Sequence, residues 1–317
     1  MVFLNFMNIA GFAIVQIFIL GLIGFFVIRL KLVSEEGLNA ISTLVINVIL
    51  PLFIFTHLVE GFNVEHITFW WLYPVIALIL STFGFVVGFA ISKIANKASM
   101  QREIISLVTF QNAGYLPLVL VGMILTGSQL DDMIVIIALS LIGFNLVIWS
   151  VGIIILTHKR LDSFEWQHLF SAPVVASILA LIVVFLNFNS LIPFAVFKPL
   201  KALGDCTLPL AILVVGGNLA SMKLRHVDAA SLVYAVIAKV IILPSLALVF
   251  ILNVNMPYLM KMLILIQACM PSAVSLSVIA RHYNLKEQIV SQGIFFSHLL
   301  SLVTIPIFLS LFLTIVD

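Results

Sequence analysis

Apolar runs of roughly 20 residues recur from near residue 8 to residue 315 of this 317-residue chain. A run of that length is what a helix needs to cross about 30 Å of hydrocarbon. Lipid offers no partner for backbone N–H and C=O groups, so a spanning segment must satisfy them internally, as a helix or within a closed strand barrel. Barrel strands would read as alternating segments of about ten residues, whereas these runs are continuous. A soluble globule is excluded as well: with 63% hydrophobic and 9% charged residues it would have to expose a large apolar surface to water. The sequence therefore predicts an all-α polytopic membrane protein.

The polar interruptions place ten transmembrane helices near 8–29, 38–59, 68–93, 101–125, 131–157, 168–189, 196–220, 227–252, 257–280 and 288–315. The first run lacks a basic leader and a small-residue cleavage pattern, and reads as a retained helix. Eleven basic residues fall in the odd-numbered connections: Arg29, Lys31, Lys93, Lys97, Arg102, Lys159, Arg160, Lys223, Arg225, Arg281 and Lys286. The even-numbered side carries Lys198, Lys201 and Lys261, with Glu60, Glu65, Asp131 and Asp132. The inside-positive bias then puts both termini outside the cytoplasm of a multi-pass protein of the cytoplasmic (inner) membrane.

The longest hydrophilic connection, HKRLDSFEWQH, lies at the middle of the chain. It divides a first five-helix repeat (1–157) from a second (168–317), with 158–167 as a short cytoplasmic linker. An odd number of crossings makes the second set enter with opposite orientation, so related halves would be inverted repeats. Leu50-Pro51-Leu52 in span 2 and Leu208-Pro209-Leu210 in span 7 are the internal trace of that relation, and they set Asn47 opposite Asp205.

Spans 4 and 9 each carry a polar, proline-bearing interruption, TFQNAGYLPLVL (109–120) and QACMPSAVSLSVI (267–279). Proline within a helix removes a donor and clashes with the preceding turn, at about 3 kcal/mol. Irregular backbone at membrane depth is tolerated only where protein or a water-filled cavity satisfies it. Both breaks fall near mid-depth, so broken helices 4 and 9 crossing there would bring four half-helix ends together. Their N-terminal ends, with free N–H groups and partial positive charge, suit an anion or carboxylate. The substrate-binding candidates are Asn112, Gly114, Tyr115 and Pro117 in span 4, and Pro271, Ser272 and Ser275 in span 9. Asn112 and Tyr115 would supply side-chain hydrogen bonds, Ser272 and Ser275 hydroxyls, and Gly114 room for close approach. A kink of purely structural origin is the competing reading, since Pro and Gly are common in membrane helices.

Ionisable residues inside the runs are few. Lys239 in span 8 could balance a carboxylate, pair with Asp205 or snorkel. Asp205 could sit at a polar centre or cap span 7. His298 in span 10 could relay protons or simply bond a neighbouring carbonyl. Together these three motivate proton coupling. Cys206 and Cys269 give no disulfide framework or thiol metal site. There is no phosphate-binding loop, no HExxH and no nucleophile beside a base, so the chain is expected to need no cofactor and no metal, and not to be an enzyme. A net charge of +2 gives no reason to expect nucleic acid.

The sequence Asn112-Ala113-Gly114-Tyr115-Leu116-Pro117, with Leu50-Pro51, the proline-bearing segment at 269–277 and ten spans without a large middle loop, resembles the auxin efflux carrier family. The short linker resembles its bacterial and archaeal branch, which includes proteins named malonate transporters. The resemblance implies a five-plus-five inverted repeat in which helices 4 and 9 cross beside the substrate. It also implies alternating access with elevator-like motion of a transport part, for a small organic anion; a homodimer is compatible with it. The residues lead to the same function: a secondary transporter of a mono- or dicarboxylate, with the lipid bilayer as surroundings. The alternative is a ligand-binding membrane sensor or scaffold without transport.

Overall fold

The computed structural model describes residues 2–63, 67, 69–95, 100–152, 154–155, 170–222, 229–282 and 287–316. The linker at 158–167 lies outside the described residues. Helix α1 covers Val2–Arg29. Helix α2, Glu35–Leu44, begins at Ser34, whose side chain accepts the Gly37 N–H. It runs through a π-helical turn, Val45–Ile49, into α3, Leu50–Gly61. Pro51 explains the turn, because it has no N–H and crowds the carbonyl four residues earlier. Widening the helix lets Leu50 N–H bond Val45 O five residues back.

Helix α4 is Leu72–Ile94, and α5, Gln101–Thr109, ends where Phe110 turns extended. Helix α6 resumes at Tyr115–Ile124. Helix α7, Gly127–Val147, continues into a π turn at Ile148–Gly152. In the second half come α8 (Ala172–Phe185), α9 (Phe194–Asp205) and α10 (Thr207–Ser221). Helix α11 (Ala229–Ile237) passes through a third π turn, Ala238–Ile242, into α12 (Leu243–Asn253), again just before a proline, Pro244. Helix α13 is Tyr258–Cys269, α14 is Ser275–His282, and α15 is Glu287–Val316.

Seven helical stretches among the described residues are long and apolar enough to cross a membrane, and three shorter apolar helices accompany them. The shortfall from ten expected spans has a physical cause. Extended backbone between α5 and α6, and between α13 and α14, cuts spans 4 and 9 into halves too short to cross alone. The helix of span 6 is 14 residues long, beginning at Ala172.

Helices α1, α2, α3, α8, α9 and α10 pack as one layer, with α1 against α10 and α3 against α8 and α9. Helices α4, α5, α7, α11, α12, α13, α14 and α15 surround the two breaks. Backbone contact welds α1 to α10: a Cβ placed on Gly216 would lie 1.9 Å from Gly21 O. Apolar side chains on the outer face of α1, such as Phe12, Ile19, Ile23 and Phe26, are exposed, as a lipid-facing helix requires.

Candidate functional site

The two breaks cross as a minimal antiparallel β-bridge between Gln111 and Ser272. Asn112 N–H donates to Pro271 O at 2.8 Å, and Ala273 N–H donates to Phe110 O at 2.9 Å. Each extended segment thus supplies the partner that the other lost by leaving its helix, which meets the requirement that backbone polarity be satisfied at membrane depth.

Three carbonyls at the C-terminal end of α5 have partners as well. Ser106 O accepts from Phe110 N–H, Leu107 O from the Ser272 hydroxyl at 2.7 Å, and Val108 O from Lys239 Nζ at 3.1 Å. Gln267 Nε2 donates to Ala113 O at 3.0 Å, and Ser272 N–H donates to Ser297 Oγ at 3.2 Å. Sequence-distant groups from the second half therefore brace the break in the first.

Beside the crossing lies a cavity of about 750 Å³. The start of α6 (Tyr115 and its N-cap Gly114) and the start of α14 (Ser275, with Val274 just before it) both line it. The two helix N-termini face one space, and Pro117 fits the first turn of α6, where its missing N–H would have had no intrahelical acceptor. The cavity extends toward Glu35, Ser171, Ser221 and Gln288, near the ends of helices joined by the basic connections. Its polar lining is almost wholly amide and hydroxyl; among the described residues no Lys or Arg lines it, and Glu35 is the single charged residue.

Of the candidates drawn from the sequence, Asn112, Gly114, Tyr115 and Ser275 line the cavity. Asn112 is 6% exposed, and its Nδ2 is buried without a hydrogen-bond partner among the described residues. Pro117, Pro271 and Ser272 are placed behind this wall, Pro271 and Ser272 as parts of the crossing. Lys239, Asp205 and His298 do not reach the cavity, nor do they meet one another. Asp205 Oδ1 lies 3.8 Å from His57 Nε2. It ends α9 and does not cap α10, whose N-cap is Cys206 with no side-chain bond. His298 Nδ1 is 2.9 Å from Ile294 O, and the ring borders a separate apolar crevice between α1, α10 and α15.

Several lining residues are not among those candidates. Glu35, Asn39 and Ser42 recur at helical spacing on one face of α2, a polar stripe that is visible in the sequence, and Ile46 follows them in the π turn. Asn145 and Trp149 lie four apart on α7 and its π turn. Asn47, the counterpart of Asp205 in the repeat alignment, reaches the cavity from the π turn before Pro51.

Comparison with known proteins gives the same class. A family model described as membrane transport protein matches residues 10–162 and 156–309. Protein PIN-LIKES 7 of Arabidopsis thaliana is 24% identical over 393 aligned positions, covering 99% of this chain and 100% of that protein. Uncharacterized transporter MJ1031 of Methanocaldococcus jannaschii is 28% identical over 139 positions, covering 43% of this chain and 44% of that protein. The resemblance to the auxin efflux carriers holds at this family level. Matched over nearly its whole length and built of membrane-crossing helices, the chain belongs to the membrane transport protein family, and its work is transport rather than catalysis.

Proposed function

We propose that the chain is a secondary transporter of a small organic anion, a malonate-like mono- or dicarboxylate, working by alternating access of the elevator type. The observation that carries this reading is that the N-terminal ends of α6 and α14 face one cavity of about 750 Å³, within the range that holds small ligands. The start of α6 presents the N–H groups of Tyr115 and Leu116 and the start of α14 that of Ser275, the Leu276 and Ser277 N–H groups being bonded to Ala273 O and Val274 O; with the partial positive charge of both ends, a carboxylate is favoured there without a Lys or Arg. Asn112 would bind the carboxylate together with these N–H groups, and Tyr115 and Ser275 would shape its surroundings.

The ten-helix, five-plus-five inverted repeat belongs to the same proposal. It is supported by the paired positions of the breaks at 110–114 and 270–274 and by prolines 51 and 209 in spans 2 and 7. With the basic connections on the cytoplasmic side, the cavity opens inward. The layer of α1, α2, α3, α8, α9 and α10 would then be the scaffold against which the crossing moves. Proton coupling rests on the His57–Asp205 contact, where titratable groups of spans 2 and 7 meet, with Glu60 and Lys201 paired nearby.

The test is uptake into sealed liposomes, comparing malonate with a panel of small monocarboxylates and Asn112→Ala as control. Saturable uptake that the substitution removes supports the reading. Saturable binding without flux would replace it with a sensor.

A further inference from the structure

Lys239 is 1% exposed and among the largest fully buried side chains of the protein. Among the described residues it has no carboxylate partner, since the ion pairs there are His57–Asp205 and Lys201–Glu60. A charged amine so placed is expensive in a membrane core unless something stabilises it. What Nζ meets is Val108 O, one of the last carbonyls of α5. That end of the half-helix carries the negative pole of its dipole. The π turn Ala238–Ile242 is what presents the side chain there, and such turns concentrate at functional positions. Gly84 brings α4 close on another side, where an added Cβ would lie 3.3 Å from Val108 O and 3.0 Å from Thr109 O.

Carriers with broken helices use exposed carbonyls at half-helix C-terminal ends to hold a coupling cation. We infer that Lys239 is this protein's built-in cation: its ammonium occupies the carbonyl position at the end of α5 that a bound monovalent cation would otherwise fill. The crossing then keeps its shape without a metal ion, and Lys239 is a positioning residue acting through α5 on the cavity wall. The inference rests on the geometry of the crossing and is independent of which solute is carried.

The experiment is thermal unfolding of the purified protein in detergent, in sodium chloride and in choline chloride, for wild type and Lys239→Ala, each with and without n-propylammonium. Wild type is expected to unfold at one temperature in both salts. Lys239→Ala is expected to unfold roughly 5 °C lower or more, and propylammonium, which restores the deleted ammonium and most of its stem, is expected to recover at least half of the loss. Propanol at equal concentration should recover none, which separates a cationic role from simple packing. Wild type stabilised by sodium but not choline would overturn the inference. So would Lys239→Met, a neutral replacement of similar length, unfolding at the wild-type temperature. Because no substrate is added, failure here leaves the transport proposal standing, and failure of uptake leaves this result readable.

Discussion

Asn112 is held to Pro271 through the backbone, N–H to carbonyl at 2.8 Å, while its side-chain Nδ2 is buried without a partner among the described residues. The backbone group is thus committed to the crossing, while the carboxamide is left available to the proposed substrate. Asn112→Ala leaves the backbone bond and deletes only the carboxamide. A hydrogen bond to a charged group is worth about 1.5–3 kcal/mol, so substrate affinity should fall about tenfold to a hundredfold with little change in unfolding temperature. Equilibrium binding on the purified variant, beside its melting curve, checks both halves of the expectation.

Gly114 tests the cavity from the other direction. An added Cβ would meet Leu141 Cδ2 at 3.5 Å, an ordinary contact, and the backbone φ of −106° is open to any residue. Gly114→Ala should therefore fold like wild type. Its methyl group stands at the start of α6, where a carboxylate would approach the free N–H groups, so the Michaelis constant for uptake should rise while the amount of folded protein stays constant.

Ser272 separates bracing from binding. Its hydroxyl donates to Leu107 O at 2.7 Å in a fully buried setting. Ser272→Ala leaves that carbonyl without the donor, at about 1–3 kcal/mol. The expected result is a fall of several degrees in unfolding temperature. Binding measured well below the transition should stay within about twofold of wild type. A large loss of affinity at unchanged stability would instead place the hydroxyl against the substrate.

The break in span 4 is legible in the sequence because Asn112, Gly114 and Pro117 stand within a run otherwise apolar enough to cross a bilayer, a local conflict that backbone physics makes costly. Its counterpart at Pro271 is legible for the same reason. What a single sequence does not supply is the set of partners. Lys239 and Val108 are 131 positions apart, and Gln267 and Ala113 are 154 apart; no periodicity links them. The sequence leaves Lys239 free to face a substrate or Asp205, and three-dimensional packing sends it to a helix end. Asp205 resembles a cap from its neighbours, yet it closes α9 because Cys206 is still helical in φ and ψ. Asn47 reaches the cavity from a π turn, where the side-chain phase differs from that of an α-helix.

Gly216 predicts where the fold will not yield. A Cβ there would lie 1.9 Å from Gly21 O and 2.7 Å from the Gly21 carbonyl carbon, both backbone atoms that cannot rotate aside. Gly216→Ala must therefore push α1 and α10 apart, exceeding the ordinary overpacking penalty of about 1–3 kcal/mol. The expected outcome is loss of the monodisperse peak in fluorescence-detected size exclusion, while Gly11→Ala, where nothing lies within 4 Å, retains it.

Glu35 offers a test of the sign of the substrate's charge. It is exposed at the start of α2 and is the single charged residue lining the cavity among those described, far from the crossing in sequence and at the end where the basic connections lie. An anion entering there meets one negative charge before it reaches the positive ends of α6 and α14. Glu35→Gln removes that charge while Glu36 remains in the first turn to favour the helix dipole. For an anionic solute, the initial uptake rate at subsaturating concentration should rise by about twofold to threefold at low ionic strength. The gain should disappear near 0.5 M salt, where the screening length is only about 4 Å. A cationic solute would show the opposite change with the same salt dependence, and a neutral one would show neither. Uptake rates at the two ionic strengths, wild type against variant, therefore read the charge of the cargo whatever its carbon skeleton.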